Sequence, residues 1–265
     1  MDRRPSLEEI GRDLLVVPRW RLALTLATPF ALTALFFVFA ARQWWLAALA
    51  CPVLLSFLTY GSISHDLVHR TLRIPRWLNE ALLCAIELTA FRSGHAYRTV
   101  HLHHHARFPA NDDLEGSASK MTFLRALVEG FTLQPRLWTF AMKKNGRDRA
   151  WMIGEATAVI LGLAICIAVI PITPLPFAYA ALMIAGSWIF PLITAYIPHL
   201  PGGETELHQT KLFRGRVLSI LALEHLYHLE HHLYPQVPHH NWPTLARRLD
   251  PFFEREGLTA IRLWF

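Results

Sequence analysis

Four long apolar stretches constrain the fold of this chain more than any other feature of its sequence. They cover residues 21–41, 44–63, 153–170 and 175–196. A helix needs about 20 mostly apolar residues to cross the hydrocarbon core of a bilayer, and each stretch meets that requirement. Hydrophobic residues make up 53% of the chain and charged residues only 17%, which is too apolar for a soluble domain of this size. The sequence therefore predicts an all-α integral membrane protein with four transmembrane helices.

The connections between these stretches predict how they are arranged. Residues 42–43 join the first pair and the Pro-rich residues 171–176 join the second, so each pair is predicted to form an antiparallel hairpin. All larger polar segments then lie on one face of the membrane. That face carries 25 of the 26 Lys and Arg residues, all except Arg42, and the positive-inside rule makes it cytoplasmic.

The polar segments contain further helical signals. Ser6 followed by Glu9 is a capping-box pattern, which predicts a short helix on the membrane surface. Residues 78–91 and 121–142 are apolar but too short or too interrupted to cross the bilayer, so we expect interfacial or re-entrant helices there. The predicted regions are an N-terminal interfacial segment of residues 1–20, a membrane domain of residues 21–245 and a C-terminal cytoplasmic tail of residues 246–265.

Charge and cysteine content exclude several classes of protein. The net charge of +6 could indicate a nucleic-acid partner, but the basic residues adjoin membrane-spanning stretches, so anionic lipid headgroups are the simpler partner. The three cysteines, Cys51, Cys84 and Cys166, are scattered and predict neither a disulfide framework nor a thiolate metal site. The first 21 residues lack the apolar core of a secretory signal, and we expect the stretch that follows to remain as an anchor.

The arrangement of the histidines is the main functional signal. Eight of the 15 histidines form three boxes on the predicted cytoplasmic face: His65 with His69, then His101 with His104 and His105, and finally His228 with His231 and His232. Offsets of three and four residues place side chains on one face of a helix, so each box can direct its imidazoles at one point. Eight imidazoles exceed what one metal ion takes and favour two ions. Imidazole binds iron, copper, zinc and nickel, so the boxes leave the metal open.

The box sequences resemble those of the membrane fatty acid desaturase superfamily. The matching motifs are HDLVH from His65, HLHHH from His101, and YHLEHHLYP from Tyr227, and the resemblance extends over roughly residues 20–245. It implies a four-helix membrane domain, two non-haem iron ions bound by histidines in a cytoplasmic cap, and O2 as co-substrate. His199 resembles the additional ligand that this superfamily often supplies between the second and third boxes. We predict it as a ninth metal ligand. The alternative is a histidine that hydrogen-bonds to a ligand or lies at the membrane interface.

Acidic residues near the boxes are candidates to orient the ligands. A metal-bound imidazole usually donates its second N–H to a carboxylate, which makes Asp66, Glu230, Asp112, Asp113 and Glu115 candidates. An ordinary surface charge is the alternative for each, and it is the one that we favour for Glu115. The remaining histidines are predicted to have no ligand role, with His225 the one that could share a helix face with His228. They are His95, His103, His208, His225, His239 and His240.

Aromatic and basic residues near the boxes are predicted to serve the membrane interface. Tyr234, Trp242 and Trp44 are expected in the interfacial aromatic belt. Arg247 and Arg248 are expected to face solvent or headgroups rather than an electron donor.

The resemblance predicts an O2-dependent membrane oxidoreductase that desaturates or hydroxylates a fatty acyl lipid chain. A carotenoid hydroxylase or ketolase is the closest alternative, because Pro198-His199, the small size and the HHLYP sequence also resemble that branch. No haem, flavin or dinucleotide motif is present, so a separate ferredoxin, or a b-type cytochrome with its reductase, is the expected electron donor.

Two alternatives come from other classes of protein. HDLVH is a variant of the HExxH zinc motif and could indicate a membrane zinc hydrolase with Asp66 as general base, but this leaves both HxxHH boxes unexplained. A non-catalytic metal-binding protein on the same scaffold is the other.

Overall fold

The computed structural model describes residues 3–215 and 227–263. These residues are mostly helical, with a two-stranded parallel sheet near the C-terminus. The α-helices are α1 (Leu7–Ile10), α2 (Arg19–Ala41), α3 (Trp45–Leu58), α4 (Ser64–His69), α5 (Arg76–Thr89), α6 (Gly94–Arg107), α7 (Phe123–Lys144), α8 (Arg149–Ala168), α9 (Leu175–Gly186), α10 (His228–Leu233) and α11 (Trp242–Arg255). The strands are β1 (Phe213–Arg214) and β2 (Ile261–Arg262).

Within the described residues, four helical segments are long and apolar enough to cross a membrane. They are Arg19–Ala41, Trp45–His69, Arg149–Ala168 and Leu175–Tyr196. The helical class is therefore confirmed, and the four candidate spans agree with the four predicted ones and are consistent with a membrane protein. The second span is longer than predicted, because the helix continues through the first histidine box instead of ending before it. Only 17% of the apolar window is buried in the first and third spans, so most of their surface is free to face lipid.

The second and fourth spans each contain a π-helical segment in their C-terminal half. It lies at Thr59–Ile63 in the second span, which then continues as α4, and at Pro191–Tyr196 at the end of the fourth, after a short 3-10 turn at Ser187–Ile189. The wider turn is visible in the bond from the Ile197 amide to the Leu192 carbonyl, which spans five residues at 2.9 Å. Each π segment ends just before a histidine of the predicted site, either His65 or His199. Single π turns inside α-helices are frequent at functional sites.

Both segments predicted as interfacial helices are helical, as α5 and α7. Helix α7 exposes an apolar stripe at helical spacing, formed by Leu124, Val128 and Phe131, which are 70%, 61% and 55% exposed. Its opposite face packs so closely on the fourth span that a Cβ at Gly130 would collide with the carbonyl of Trp188. The exposed stripe is what a helix lying in the membrane interface requires.

The N-terminal segment packs on the C-terminal helix α11. Ser6 and Glu9 form the predicted capping box at the start of α1. Leu14 is buried among apolar residues of α10 and α11, and Arg248 forms an ion pair with Asp13 at 2.7 Å. The two ends of the chain therefore form one apolar cluster that covers the third histidine box.

Two aromatic residues in this cluster lie elsewhere than predicted. Trp242 is fully buried and Tyr234 is 3% exposed, so neither belongs to an interfacial belt. The Trp242 ring centroid lies 5.5 Å from that of His65 and 5.3 Å from that of His231, and its Nε1 donates to the Val237 carbonyl at 2.9 Å. The indole can be buried beside these histidines because its N–H is hydrogen-bonded to a backbone carbonyl.

Candidate metal centre

Four segments that are far apart in sequence bring the predicted site histidines together. Helix α4 carries the first box, α6 the second and α10 the third. His199 follows the fourth span and is held by an isolated antiparallel bridge to Thr210. Helices α4 and α6 pack against each other, so the first two boxes face one another across a helix contact.

All nine predicted residues lie in two groups, each compact enough to hold one metal ion. The ligand atoms within a group lie within 4.8 Å of one another. One group has five histidines, His65, His69, His101, His105 and His231; the other has four, His104, His199, His228 and His232. Helices α6 and α10 each contribute to both groups, because an HxxHH box directs its histidines to two adjacent points.

The spacing of the Nε2 atoms fits ligands around an ion. Neighbouring Nε2 atoms in the five-histidine group are 2.7–3.1 Å apart, and those in the four-histidine group are 3.1–3.3 Å apart. Nitrogen ligands bind such metals at about 2.1 Å, which places adjacent ligands of an octahedral ion about 3.0 Å apart. The side chains therefore already have the spacing that metal coordination requires.

Hydrogen bonds at the opposite ring nitrogens fix three of the imidazoles. His104 Nδ1 donates to Asp113 Oδ2 at 2.7 Å, and His101 Nδ1 donates to Glu115 Oε1 at 3.0 Å. His199 Nδ1 donates to the carbonyl of Ala195 at 3.1 Å. A neutral imidazole with its proton on Nδ1 has a lone pair on Nε2, so these three rings present lone pairs to the interior of the groups.

Burial favours the neutral, metal-binding form of most of these imidazoles. Burial and neighbouring imidazoles hold the pKa of His105, His199, His231 and His232 well below the usual range. His104 differs: burial lowers its pKa, but the Asp113 and Glu115 carboxylates outweigh that effect and raise it. A proton on His104 is therefore the main competitor of a metal ion in the four-histidine group.

The acidic candidates divide into those that contact a ligand and those that do not. Asp113 contacts His104 as predicted. Glu115 does not behave as the predicted surface charge: it is 8% exposed and bonded to His101, because the turn after α6 folds back over that helix. Asp112 instead lies at the surface, in an ion pair with Arg107 at 3.1 Å.

Asp66 and Glu230 are buried inside their boxes but bind other partners. Asp66 Oδ2 accepts from His239 Nδ1 at 2.6 Å, and Asp66 Oδ1 accepts from the His239 amide at 3.0 Å. Glu230 pairs with Arg214 at 2.6 Å, and burial raises the pKa of this carboxyl to about 7 despite the guanidinium. Neither carboxylate contacts a box imidazole in these bonds. Asp66 instead connects α4 to His239, and Glu230 connects α10 to Arg214.

Two histidines without a predicted ligand role are fully structural. His239 is 3% exposed and fixes α4 through Asp66. His95 is completely buried between Glu155, at 2.6 Å, and Glu80, at 3.0 Å. Sequence offers no spacing signal for these contacts, since His239 and Asp66 are 173 positions apart.

The other histidines lie outside the two groups. His208 is exposed and bonds to Thr205, His103 lies beside Asp112, and His240 bonds to Thr25 at 2.6 Å. His225 lies outside the described residues.

A cavity of about 600 Å³ reaches both histidine groups from one side. His105 of the five-histidine group and His232 of the four-histidine group both line it. The N-terminal residues 3–7 form its other wall, fastened by the Tyr234 hydroxyl, which donates to the Pro5 carbonyl at 2.5 Å. Small molecules can therefore approach the two groups without crossing the apolar core.

The fold and the site define a helical protein with four helices long and apolar enough to cross a membrane and two adjacent histidine groups, each compact enough to hold a metal ion. The family model described as fatty acid desaturase matches residues 42–264. The chain therefore belongs to the fatty acid desaturase family. Comparison with curated proteins gave no match.

Proposed function

We propose that this protein is an O2-dependent, non-haem diiron oxidoreductase that desaturates or hydroxylates a fatty acyl lipid chain in the membrane. The observation that carries the proposal is the spacing of the nine Nε2 atoms, which matches two sets of adjacent ligands. Membership of the fatty acid desaturase family supports iron as the metal and a lipid as the substrate. An iron pair bound there would supply the electron-transfer and dioxygen chemistry that an unactivated C–H bond requires.

In this proposal the protein contributes ligand orientation. Asp113, Glu115 and the Ala195 carbonyl hold three imidazoles with Nε2 directed inward, so binding needs little rearrangement of those rings. Trp242, which is fully buried, packs against both His65 and His231 and excludes water from that side of the five-histidine group.

Three buried aromatic rings, one each from the second span, the fourth span and α6, pack against one another beside the second histidine box. Tyr60 stacks on Tyr97 with ring centroids 4.3 Å apart and packs on Phe190 at 4.4 Å. Tyr97 in turn lies 5.4 Å from His101, and Tyr60 donates to Glu115 at 3.4 Å. The Tyr60 hydroxyl therefore supports the carboxylate that orients His101.

The contacts of Asp66 argue against the zinc hydrolase alternative. In an HExxH-type site the acidic residue must be available to activate water. Here both carboxylate oxygens of Asp66 accept hydrogen bonds from His239, and the side chain is fully buried. That alternative would also leave the four-histidine group without a role.

We place the histidine groups on the cytoplasmic face, with each pair of spans as an antiparallel hairpin. The support is the concentration of Lys and Arg in the segments that carry the boxes. An external ferredoxin, or a b-type cytochrome with its reductase, would then reach the site from the cytoplasm. The cavity beside His105 and His232 lies on that proposed face.

The test is metal content and turnover of the purified protein, compared with His104→Ala and with His208→Ala as an exposed histidine control. We expect about two irons per chain in the wild type and the control, and less iron in His104→Ala. Reduced protein should consume O2 and yield an unsaturated or hydroxylated acyl lipid.

Two other results would redirect the proposal. One zinc per chain with no O2 consumption would overturn the diiron assignment. Oxidised carotenoid from a carotenoid-producing host, with unchanged acyl lipids, would replace the fatty acyl substrate with a carotenoid.

A further inference from the structure

A second cavity, of about 570 Å³, shares no lining residue with the cavity beside the N-terminal segment. Its wall includes His69, the last residue of the second span, and Arg70, which follows it. Helix α6 contributes Arg98, α5 contributes Arg76, and the loop before the third span contributes Arg147. Four guanidinium groups therefore surround one space next to a predicted metal ligand.

Two of these arginines are held in place by carboxylates. Arg98 pairs with Glu80 at 2.7 Å and with Asp148 at 2.9 Å, and Arg70 pairs with Glu80 at 3.0 Å. Burial opposes ionisation of Glu80, but these guanidinium groups lower its pKa to about 2, so it stays charged. Glu80 and Asp148 therefore hold the side chains of Arg70 and Arg98 in place. Two carboxylates do not neutralise four guanidinium groups, so the cavity keeps a net positive charge.

Among the described residues, the other two arginines have no carboxylate partner, and one nitrogen of Arg98 has no hydrogen-bond partner. In the part of the chain that the structure describes, no carboxylate pairs with Arg76 or Arg147, and both are exposed. Arg98 is only 4% exposed, yet its Nη1 has no hydrogen-bond partner. A buried guanidinium N–H without a partner is costly, and an anion in the cavity would supply the missing acceptor.

The position of the cavity along the spans indicates the headgroup level of a membrane. The second span ends at His69, which lines the cavity, and the third begins at Arg149, directly after the lining residue Asp148. An adjoining cavity of about 540 Å³ shares Arg76 and Arg147 and is lined by Trp77 and Trp151, which are 71% and 41% exposed. Exposed indoles beside arginines are typical of the interface between acyl chains and headgroups.

We propose that this cavity binds the phosphate group of an amphiphile and so holds the polar end of the substrate beside the metal centre. This assignment of the substrate's polar end rests on the proposed function. Phosphate suits the cavity because arginine forks bind its oxygens in pairs and because its charge matches two guanidinium groups without carboxylate partners. The phosphate could belong to a phospholipid headgroup or to a soluble acyl carrier, and the chemistry of recognition is the same.

The test measures binding, so it does not depend on turnover. Three short-chain probes would be titrated against the detergent-solubilised full-length protein by native mass spectrometry: dihexanoyl phosphatidic acid, 4′-phosphopantetheine and the phosphate-free dihexanoylglycerol. The variant is R76Q/R147Q, which leaves the Arg98 network intact. Its matched control is R19Q/R21Q, which removes two exposed charges at the start of the first span.

We expect one phosphate probe to bind the wild type and R19Q/R21Q equally and to bind R76Q/R147Q at least about tenfold more weakly, since two charge-assisted contacts are lost. R76K/R147K should recover most of the binding, because lysine still supplies the charge. Binding of phosphatidic acid alone would identify a lipid source, and binding of phosphopantetheine alone a carrier.

Equal binding of dihexanoylglycerol, or no difference between the two glutamine variants, would overturn the phosphate site. Iron content would be measured on the same samples. Loss of phosphate binding with normal iron content in R76Q/R147Q separates the role of the cavity from that of the metal centre. A wild-type protein without iron would count against the proposed function, while the binding data would still decide whether the cavity takes phosphate.

Discussion

His104 and His199 direct their Nε2 atoms at each other across 3.1 Å, although each ring is already held at Nδ1 by a hydrogen-bond acceptor. If both rings are neutral, two lone pairs face one another in a buried space, which is unfavourable without a cation between them. A proton on His104 can provide this positive charge, because Asp113 raises the pKa of His104. A metal ion serves better, since it also satisfies His228 and His232.

The two histidine groups should lose metal separately. In His199→Ala we expect the four-histidine group to empty while the five-histidine group keeps its ion, so iron falls from about two per chain to about one. Turnover should be abolished, because the proposed chemistry needs both ions. Elemental analysis of the purified variant checks this, with His208→Ala as the control. Complete loss of iron would show that the groups bind cooperatively instead.

The carboxylates behind the ligands should matter almost as much as the ligands. Glu115→Gln keeps a hydrogen-bond acceptor for His101 but removes the charge, and we expect roughly 10–100-fold lower iron affinity or activity. The matched control is Asp112→Asn, which alters an exposed carboxylate three positions away and should have little effect. Iron titration of the metal-free proteins measures both. Equal affinities for the two variants would mean that Glu115 is not needed for ligand orientation.

Acid should destabilise the metal-free protein. Burial lowers the pKa of His105, His231 and His232 in the folded chain, whereas the unfolded chain takes up these protons near pH 6.5. The contribution of these neutral imidazoles to the stability of the fold is therefore fully present above pH 6.5, and it is lost as the pH falls below that value. His199 adds a fourth lowered pKa. His104 and Glu230 have the opposite sign, because their folded pKa values are raised, but they are two groups against four.

The measurement is the Tm of the metal-free protein in detergent between pH 8 and pH 5, with the iron-loaded protein in parallel. We expect the Tm of the metal-free protein to fall as the pH drops. Each proton that only the unfolded chain binds lowers the free energy of unfolding by up to about 1.4 kcal/mol per pH unit. Bound metal competes with these protons, so the loaded protein should keep its Tm to lower pH. A Tm that rises on acidification would contradict this sign.

His239→Ala should destabilise the fold, although its position in the sequence predicts no role. Removing the imidazole leaves Asp66 Oδ2 buried without a donor, although Oδ1 keeps its bond from the backbone amide, and such a lost bond costs about 1–3 kcal/mol. The exposed His208→Ala is the control, and thermal unfolding in detergent gives the difference. A Tm within a degree of the control would show that Asp66 finds another partner.

Sequence predicted the spans and the ligand set for simple physical reasons. The length and apolarity of a span are local properties, and the offsets of three and four residues between box histidines are also local. The predicted end of the second span was less accurate. The helix continues through the first histidine box to His69, but the polar residues of that box end the apolar stretch from which the span was predicted. The π segments carry no sequence signal that separates them from α-helix.

The division of the ligands between two groups could not be derived from sequence. His101 and His104 lie on one helix face, yet they belong to different groups: His101 joins both histidines of α4, and His104 joins His199 and two histidines of α10. The roles of Glu115 and His239 depend equally on contacts between segments distant in sequence. Such contacts form only when the whole chain has folded, so no spacing rule identifies them.

The π turns have a consequence for how this chain tolerates insertions and deletions. A π segment is equivalent to one extra residue in a helix, and one residue corresponds to about 100° of rotation about the axis. Deleting Ser62 would return the second span to a regular helix and swing either its bilayer-facing side or His65 away from its present direction. Length in these two spans is therefore under a constraint separate from hydropathy: a single lost codon would disturb the metal centre while leaving a segment that still crosses the membrane.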